Sequence, residues 1–292
     1  MVYNPRSGAL AKGGGSIEDR VTTLFRRRGI FPAVRPFRPS TVPEDVRGLL
    51  DDRPEALIVV GGDGTVRTVA ACLLGGDVPL GILPAGTMNV LARDLGIPEN
   101  GELALDALLR APTRTIDVAQ VNGRLFLCSS ALAMMPHLGR IRERARDAMG
   151  WSLLRQWNHG LRILSRYPRQ SFRITVDRQQ HTVRTRALMI SNNPLSRRAA
   201  ALVERDRLDT GWLVVYTLRD RTIWDLVHLA SKVLDGSWQG DRRIRSYRGR
   251  QVRVQLLGQS SASVMSDGEI ERIATPLDYD MRPRALTVLA PR

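Results

Sequence analysis

The sequence predicts an α/β N-terminal domain with a parallel sheet, followed by a β-rich, antiparallel sandwich-like C-terminal domain. Three observations predict it. Over the first hundred residues short apolar runs alternate with stretches of helical period, as parallel strands require, because each needs a helical crossover to reach the next. From about residue 115 the pattern changes to strand after strand of alternating polarity. At that change stands Asn122-Gly123 between two apolar runs, the strongest short hairpin signal. The expected division is residues 1–115, with 281–292 as a candidate return, and residues 116–280.

In chain order, residues 2–3 read as the stump of a first strand. Residues 17–28 carry a helical period, with Ser16 placed to cap the first turn and Gly29 to stop the last. Residues 35–44 form a proline-rich connection, and 47–53 a weaker helical stretch. Strand 56–60, helix 66–74, strand 79–83 and helix 88–95 then give β-α-β-α. In the second half, residues 115–121 and 124–129 flank the hairpin turn. A basic helical insert over 138–166 precedes strands at 172–176, 183–190, 212–218, 251–257 and 262–265, with one more helix expected over 222–234. No internal repeat interrupts this order.

Charge narrows the partners. Forty-four basic residues against 29 acidic ones leave a net +15, with a pI near 11.2. An anionic partner is implied, and nucleic acid, a phospholipid surface or a phosphorylated small molecule each satisfies a field that responds to charge alone. All of the basic residues except Lys12 and Lys232 are arginines, so part of the excess reads as compositional bias. The same shortage of lysine excludes a GxxxxGK[ST] phosphate loop and a VAIK kinase lysine. No RNP-like aromatic motif, zinc finger or helix-turn-helix is present, so nucleic acid is not an expected partner. Apolar residues at 43% and charged ones at 25% exclude wholesale disorder. No apolar run approaches the roughly 18–20 residues that span a bilayer. Residues 1–6 lack the basic-then-apolar layout of a secretory leader, so a cytoplasmic location is expected. Cys72 and Cys128 are too isolated for a disulfide framework or a zinc site and read as small core residues. His137, His159, His181 and His228 show no ligand spacing.

Two segments carry chemistry. Val59-Val60-Gly61-Gly62-Asp63-Gly64-Thr65 is a buried strand that ends in a glycine-rich turn and opens a helix. Such a turn suits phosphate: glycines permit positive φ and close backbone approach, and the helix N-terminus adds partial positive charge. Asp63 is placed to hold a magnesium ion or orient a nucleotide, and Thr65 to cap the helix or donate to phosphate. Taken alone, the segment serves equally as a tight turn with no ligand. Pro79-Leu80-Gly81-Ile82-Leu83-Pro84-Ala85-Gly86-Thr87-Met88-Asn89 has the same shape. On neighbouring parallel strands both turns reach the carboxyl edge of one sheet, where open α/β folds bind ligands.

Asn4-Pro5-Arg6-Ser7-Gly8, Gly61-Gly62-Asp63-Gly64-Thr65 and Pro84-Ala85-Gly86-Thr87-Met88-Asn89 resemble, in order and spacing, the catalytic domain of the diacylglycerol kinase family, bacterial lipid kinases included. Ile116-Asp117-Val118, Arg207-Leu208-Asp209-Thr210-Gly211 and Ser266-Asp267-Gly268-Glu269 stand where that family has its ID, LDDG and DGE signatures. The resemblance implies a two-domain kinase that uses ATP and Mg2+ to phosphorylate the hydroxyl of diacylglycerol or a related lipid. Asn4, Ser7, Gly8, Gly61, Gly62, Asp63, Gly64, Thr65, Gly86, Thr87 and Asn89 would bind the nucleotide, and the β-rich domain would receive the lipid. The family's general base falls to the acidic pair, with Glu269 favoured and Asp267 as the base or magnesium alternative. Asp63, Asp267 and Asp209 are the candidate metal ligands.

The match has departures. Thr210 replaces the second aspartate of LDDG, which belongs to the family's structural metal site. Val90 stands where many members carry Asp or His, and Ala119 replaces a usual glycine. The insert interleaves Arg140, Arg142, Arg144, Arg146, Arg155, Arg162 and Arg166 with Trp151, Leu153, Leu154, Trp157 and Leu161. It suits either an anionic membrane surface, which would make the protein peripherally membrane-associated, or an amphipathic helix packed on its own domain. Two alternatives stay open: a kinase of a soluble substrate that shares the GGDGT turn, as NAD kinase does, and a non-catalytic lipid-binding or regulatory relative.

Overall fold

The computed structural model describes residues 1–5, 16–137, 139, 167–196, 204–219, 225, 228, 232, 237–238 and 241–291. They fall into two units, Met1–Val118 with Pro283–Arg292, and Ala119–Arg282.

In the first unit the strands are short and buried. Strand β1 (Val2–Tyr3) lies between β2 (Arg35–Pro36) and β3 (Leu57–Gly61), and β4 (Leu80–Pro84) follows, all parallel. Val288, from the last strand of the chain, pairs with Leu80 in the same sense. Helices cover this sheet because each has one apolar stripe. In α1 (Ile17–Arg26) the Ser16 hydroxyl accepts from the Asp19 amide at 3.2 Å, as a capping residue should. Helix α2 (Val42–Asp51) buries Val42, Val46 and Leu49. Helix α3 (Asp63–Leu73) buries Val66, Val69, Ala70 and Leu73, the i, i+3, i+4 and i+7 positions of one face, together with Thr65 in its first turn. Burying each aliphatic side chain contributes about 1.5–3 kcal/mol, whereas propensity differences are a few tenths, so the stripe sets the orientation of α3. Helix α4 (Val90–Asp94) is brief. Helix α5 (Gly101–Leu109) begins at Asn100, whose side chain accepts from the Glu102 and Leu103 amides, and Arg28 ties α1 to it through Asp106 at 2.5 Å.

The second unit is a sandwich of antiparallel strands. Strand β5 (Thr113–Val121) enters it and turns through Asn122-Gly123 into β6 (Arg124–Phe126). Both turn residues have positive φ, 46° and 78°, as a type I′ hairpin demands. The remaining strands are β7 (Ser129–Ala133), β8 (Gln170–Val176), β9 (Gln179–Thr185), β10 (Ala187–Asn192), β11 (Leu213–Leu218), β12 (Ile244–Gly249), β13 (Gln251–Leu256), β14 (Ser261–Ser266), β15 (Glu269–Ala274) and β16 (Leu277–Leu289). One sheet runs β16-β13-β8-β9 and the other β12-β11-β10-β7-β14-β15. Their inner faces share one core, in which Phe126, Phe172, Ile174, Leu188, Val254 and Tyr279 are fully or nearly fully buried. The Phe126 and Tyr279 rings meet edge to face at 6.1 Å. The Tyr279 hydroxyl lies 3.2 Å from the Ser130 hydroxyl, and burial pushes its pKa above the usual phenol range.

The α/β and β-sandwich classes agree with the sequence, and several elements depart from it. Helix α5 was not expected; Asn100 caps it with its side chain. Helix α2 starts five residues before the expected stretch, and Arg35–Pro36 is a strand inside the expected connection. The run at 183–190 is two strands, β9 and β10, broken at a corner where the Thr185 hydroxyl bonds the Ala187 and Leu218 carbonyls at 2.8 Å. Strands β12, β15 and β16 were not expected; β12 is an arginine-rich edge and shows little apolar alternation. Cys128 is buried but Cys72 only half-buried. The insert at 138–166 lies outside the described residues apart from Gly139. The helix expected at 222–234 does so apart from Asp225, His228 and Lys232, which are helical.

Candidate active site

In the first unit the two glycine turns touch. The register pairs Gly61 with Pro84, and the Ala85 amide donates to the Gly61 carbonyl at 3.0 Å, so both turns leave the sheet at the same edge. A Cβ on Gly86 would lie 2.5 Å from the Gly62 Cα and 2.8 Å from the Asn89 Oδ1, and one on Gly62 would lie 3.1 Å from the Gly86 Cα. The glycines are needed for this close approach, and not for the positive φ expected of them, which none of Gly61, Gly62 and Gly86 adopts.

Side chains then pin the pair. The Asp63 Oδ1 accepts from the Val90 amide at 2.7 Å, joining the first turn of α3 to the start of α4. Position 90 therefore contributes its backbone N–H whatever side chain it carries. Asn89 takes the left-handed conformation, φ 47°, and closes its own turn by accepting from the Gly86 amide and donating to the Gly86 carbonyl. The Asn4 Nδ2 donates to the Thr65 Oγ1 at 2.8 Å, bringing the N-terminal motif to the same place. Thr87 is exposed, and Gly64 lies in the first turn of α3. Ser7 and Gly8 lie outside the described residues.

This site fits an anion. The α3 cap is Gly62, which has no side chain to bond the first-turn amides, and a helix N-terminus carries about half a positive charge. Arg93, on α4, has Nε and Nη2 buried with no hydrogen-bond partner among the described residues. Leaving two buried donors without partners is costly, and a phosphate oxygen is an acceptor that would satisfy them.

In the second unit, Asp267 and Gly268 are the two turn residues between β14 and β15, with φ 49° and 89° and Ser266 paired to Glu269. This is again a type I′ hairpin, which by itself calls for Asp-Gly. The Asp267 carboxylate is engaged on both oxygens. Oδ2 accepts from the Leu127 amide at 2.6 Å, and Oδ1 from the Cys128 and Ser129 amides at 2.8 and 3.1 Å. Glu269, the first residue of β15, is exposed. Of the two carboxylates, Asp267 thus holds the turn and Glu269 is presented to solvent.

Among the described residues no three His, Cys, Asp or Glu side chains gather into a metal-holding group. Asp63 and Asp267 direct oxygens at amides, Asp209 pairs with Arg207 at 3.0 Å, and the Thr210 hydroxyl donates to the Asn193 Oδ1 at 2.6 Å.

Comparison with known proteins decides the family. Residues 1–121 match the family described as the diacylglycerol kinase catalytic domain, and residues 141–290 match the YegS C-terminal NAD kinase beta sandwich-like domain. The chain belongs to the diacylglycerol kinase family. It is a lipid kinase. A diacylglycerol kinase of Mycobacterium tuberculosis is 29% identical over 246 residues, covering 82% of this chain and 77% of that one. A protein of Pseudomonas fluorescens named as a YegS-like lipid kinase is 48% identical over 73 residues, 24% of each chain. The crystal structure of a diacylglycerol kinase from Bacillus anthracis superposes with a TM-score of 0.67 at 19% identity, over 99% of this chain and 95% of that one, which shows the shared fold.

Four residues of this lipid kinase carry no signal in the sequence. Arg93 sits four positions past Asn89 and reads as an ordinary surface arginine. Asn192 and Asn193 are wholly buried, and Arg205 nearly so. The Asn192-Asn193-Pro194 run reads as a turn, and only the fold shows that its side chains point inward.

Proposed function

We propose that this lipid kinase transfers the γ-phosphoryl group of ATP to the hydroxyl of diacylglycerol or a related lipid alcohol, as a cytoplasmic enzyme working at an anionic membrane surface. The observation that carries the nucleotide half is the close contact of the Gly62 and Gly86 turns at the N-terminus of α3. The family and the names of the relatives support the lipid half.

The first-turn amides of α3, with Arg93, bind the phosphates and offset their charge. Asp63 sets the spacing of the two turns and orients the nucleotide. Magnesium, as the counter-ion of the nucleotide phosphates, would supply charge neutralisation when bound. Glu269 accepts the proton of the lipid hydroxyl as its oxygen bonds to the γ-phosphorus. The bond from that phosphorus to the β–γ bridging oxygen breaks, and ADP leaves.

The test is label transfer from γ-labelled ATP to a panel of acceptors: diacylglycerol, monoacylglycerol and ceramide in mixed micelles, and NAD and a sugar phosphate in solution. Label in the organic phase is the expected result, and label confined to a soluble acceptor overturns the reading. Arg93→Gln is expected to raise the KM for ATP about 10- to 100-fold, since a hydrogen bond to a charged group is worth ~1.5–3 kcal/mol, while the lipid KM stays near wild type. Steady-state kinetics with each substrate varied checks this.

The membrane half rests on the net +15 and on the insert, where basic and apolar residues interleave. Each arginine near an anionic surface is worth about 1 kcal/mol, within a Debye length of ~10 Å at 0.1 M salt. Binding to anionic vesicles should be strong at low salt, fall steeply as salt rises, and weaken when Arg140, Arg142, Arg144 and Arg146 are all replaced by Ser. Cosedimentation with neutral and anionic vesicles at two salt concentrations checks it; equal binding to both vesicle types contradicts a charged membrane surface.

A further inference from the structure

Residues Leu127 and Cys128 join β6 to β7 outside either strand, and both are buried. Buried backbone that belongs to no ladder must find partners for every amide and carbonyl. The amide side is satisfied by Asp267, as described above. The carbonyl side is satisfied by two other residues. The Leu127 carbonyl accepts from the Arg205 Nη1 at 2.7 Å and the Asn192 Nδ2 at 2.8 Å, and the Cys128 carbonyl accepts from the Asn192 amide at 2.9 Å. Arg205 also donates through Nη1 to the Asn192 carbonyl at 2.9 Å and through Nη2 to the Cys128 sulfur at 3.2 Å. Two buried residues are thus gripped from opposite sides, by a carboxylate on their amides and, on the other side, by Asn192 on both carbonyls and the Arg205 guanidinium on the Leu127 carbonyl and the Cys128 sulfur.

We infer that Arg205 is a positioning residue for the acidic turn, acting through Leu127 and Cys128 to keep their amides aimed at Asp267 and so to hold Glu269 in place. The inference rests on the reading of Glu269 as the base. It adds a distant residue that touches no substrate. Only a guanidinium serves: its forked donors reach two carbonyls and a sulfur in different directions, whereas an ammonium is a single point charge on a flexible stem. When the carbonyl side is loosened, the 127–128 segment turns to find new partners, the amides swing away from Asp267, and the base shifts. A displacement of about 1 Å at a catalytic group is enough to cost ~10²-fold in rate.

The test is Arg205→Lys in the full chain, with kcat, both KM values and thermal unfolding measured together. Expected is a kcat per folded enzyme lowered about 10- to 100-fold with the KM for ATP unchanged, because the nucleotide residues lie in the first unit. In a Glu269→Gln background the same substitution should add under threefold, since residues that act as one unit are strongly non-additive. A lowered melting temperature with wild-type kcat per folded enzyme would mean that Arg205 only stabilises the fold, and overturns the inference. If Glu269→Gln alone keeps wild-type turnover, the reading of the base fails, a result separate from the first. Should Arg205→Lys not fold, Asn192→Ser removes the other side-chain donor to the Leu127 carbonyl and is expected to show the same loss of kcat at constant ATP KM; a normal kcat there likewise overturns the inference.

Discussion

Asp63→Asn is expected to lower phosphoryl transfer by two to three orders of magnitude while leaving the protein folded. Asparagine keeps an oxygen where the Oδ1 accepts from the Val90 amide, so the tie between the two turns survives. What is lost is the negative charge that orients the nucleotide and its counter-ion, and loss of one preorganised electrostatic group typically costs about 10²–10³-fold in kcat. Asp63→Ala removes the oxygen as well. It should show the same kinetic defect and in addition lose roughly 1–3 kcal/mol of stability, as expected when the acceptor of a half-buried amide is deleted. Circular dichroism melts beside single-turnover kinetics separate the two variants. Turnover within threefold of wild type in Asp63→Asn contradicts the nucleotide-site assignment.

Glu269→Gln is the second large effect. The amide preserves the shape of the first residue of β15 and its pairing with Ser266, but has no basicity. Positioned general bases contribute ~10²–10⁴-fold, so kcat should fall within that range while nucleotide binding, followed by fluorescence of an ATP analogue, is unchanged. Asp267→Asn should look different. Its oxygens hold the Leu127, Cys128 and Ser129 amides, so replacing one by an NH2 group sets a donor against a donor, and stability falls along with activity.

The contrast between those two carboxylates also marks the limit of what the chain order could show. The local signals were legible: Ser16 as a cap, Asn122-Gly123 as a type I′ turn, and the strand, turn and helix at both glycine segments, because each depends on residues within a few positions. The reason for the glycines was not, since Gly62 and Gly86 are 24 residues apart and their contact exists only once β3 and β4 pair in register. Nor was the division of labour in Asp-Gly-Glu. The amides that occupy Asp267 lie about 140 residues away in the chain, and Arg205 reaches its partners across 77 and 78 residues. Strand β12 hid for a different reason: its arginines protect an exposed sheet edge, and an edge that avoids self-pairing gives up the apolar alternation that reveals a strand.

The most direct measurement is mass spectrometry of the lipid extract after the purified chain is incubated with diacylglycerol micelles and ATP labelled with 18O in its γ-phosphoryl group. Direct transfer should yield a phosphorylated lipid that keeps every labelled non-bridging oxygen, formed by the wild-type chain and nearly absent with Asp63→Asn or Glu269→Gln. Labelled inorganic phosphate with no phosphorylated lipid, or the same lipid product from all three proteins, would contradict phosphoryl transfer to a lipid hydroxyl by these residues.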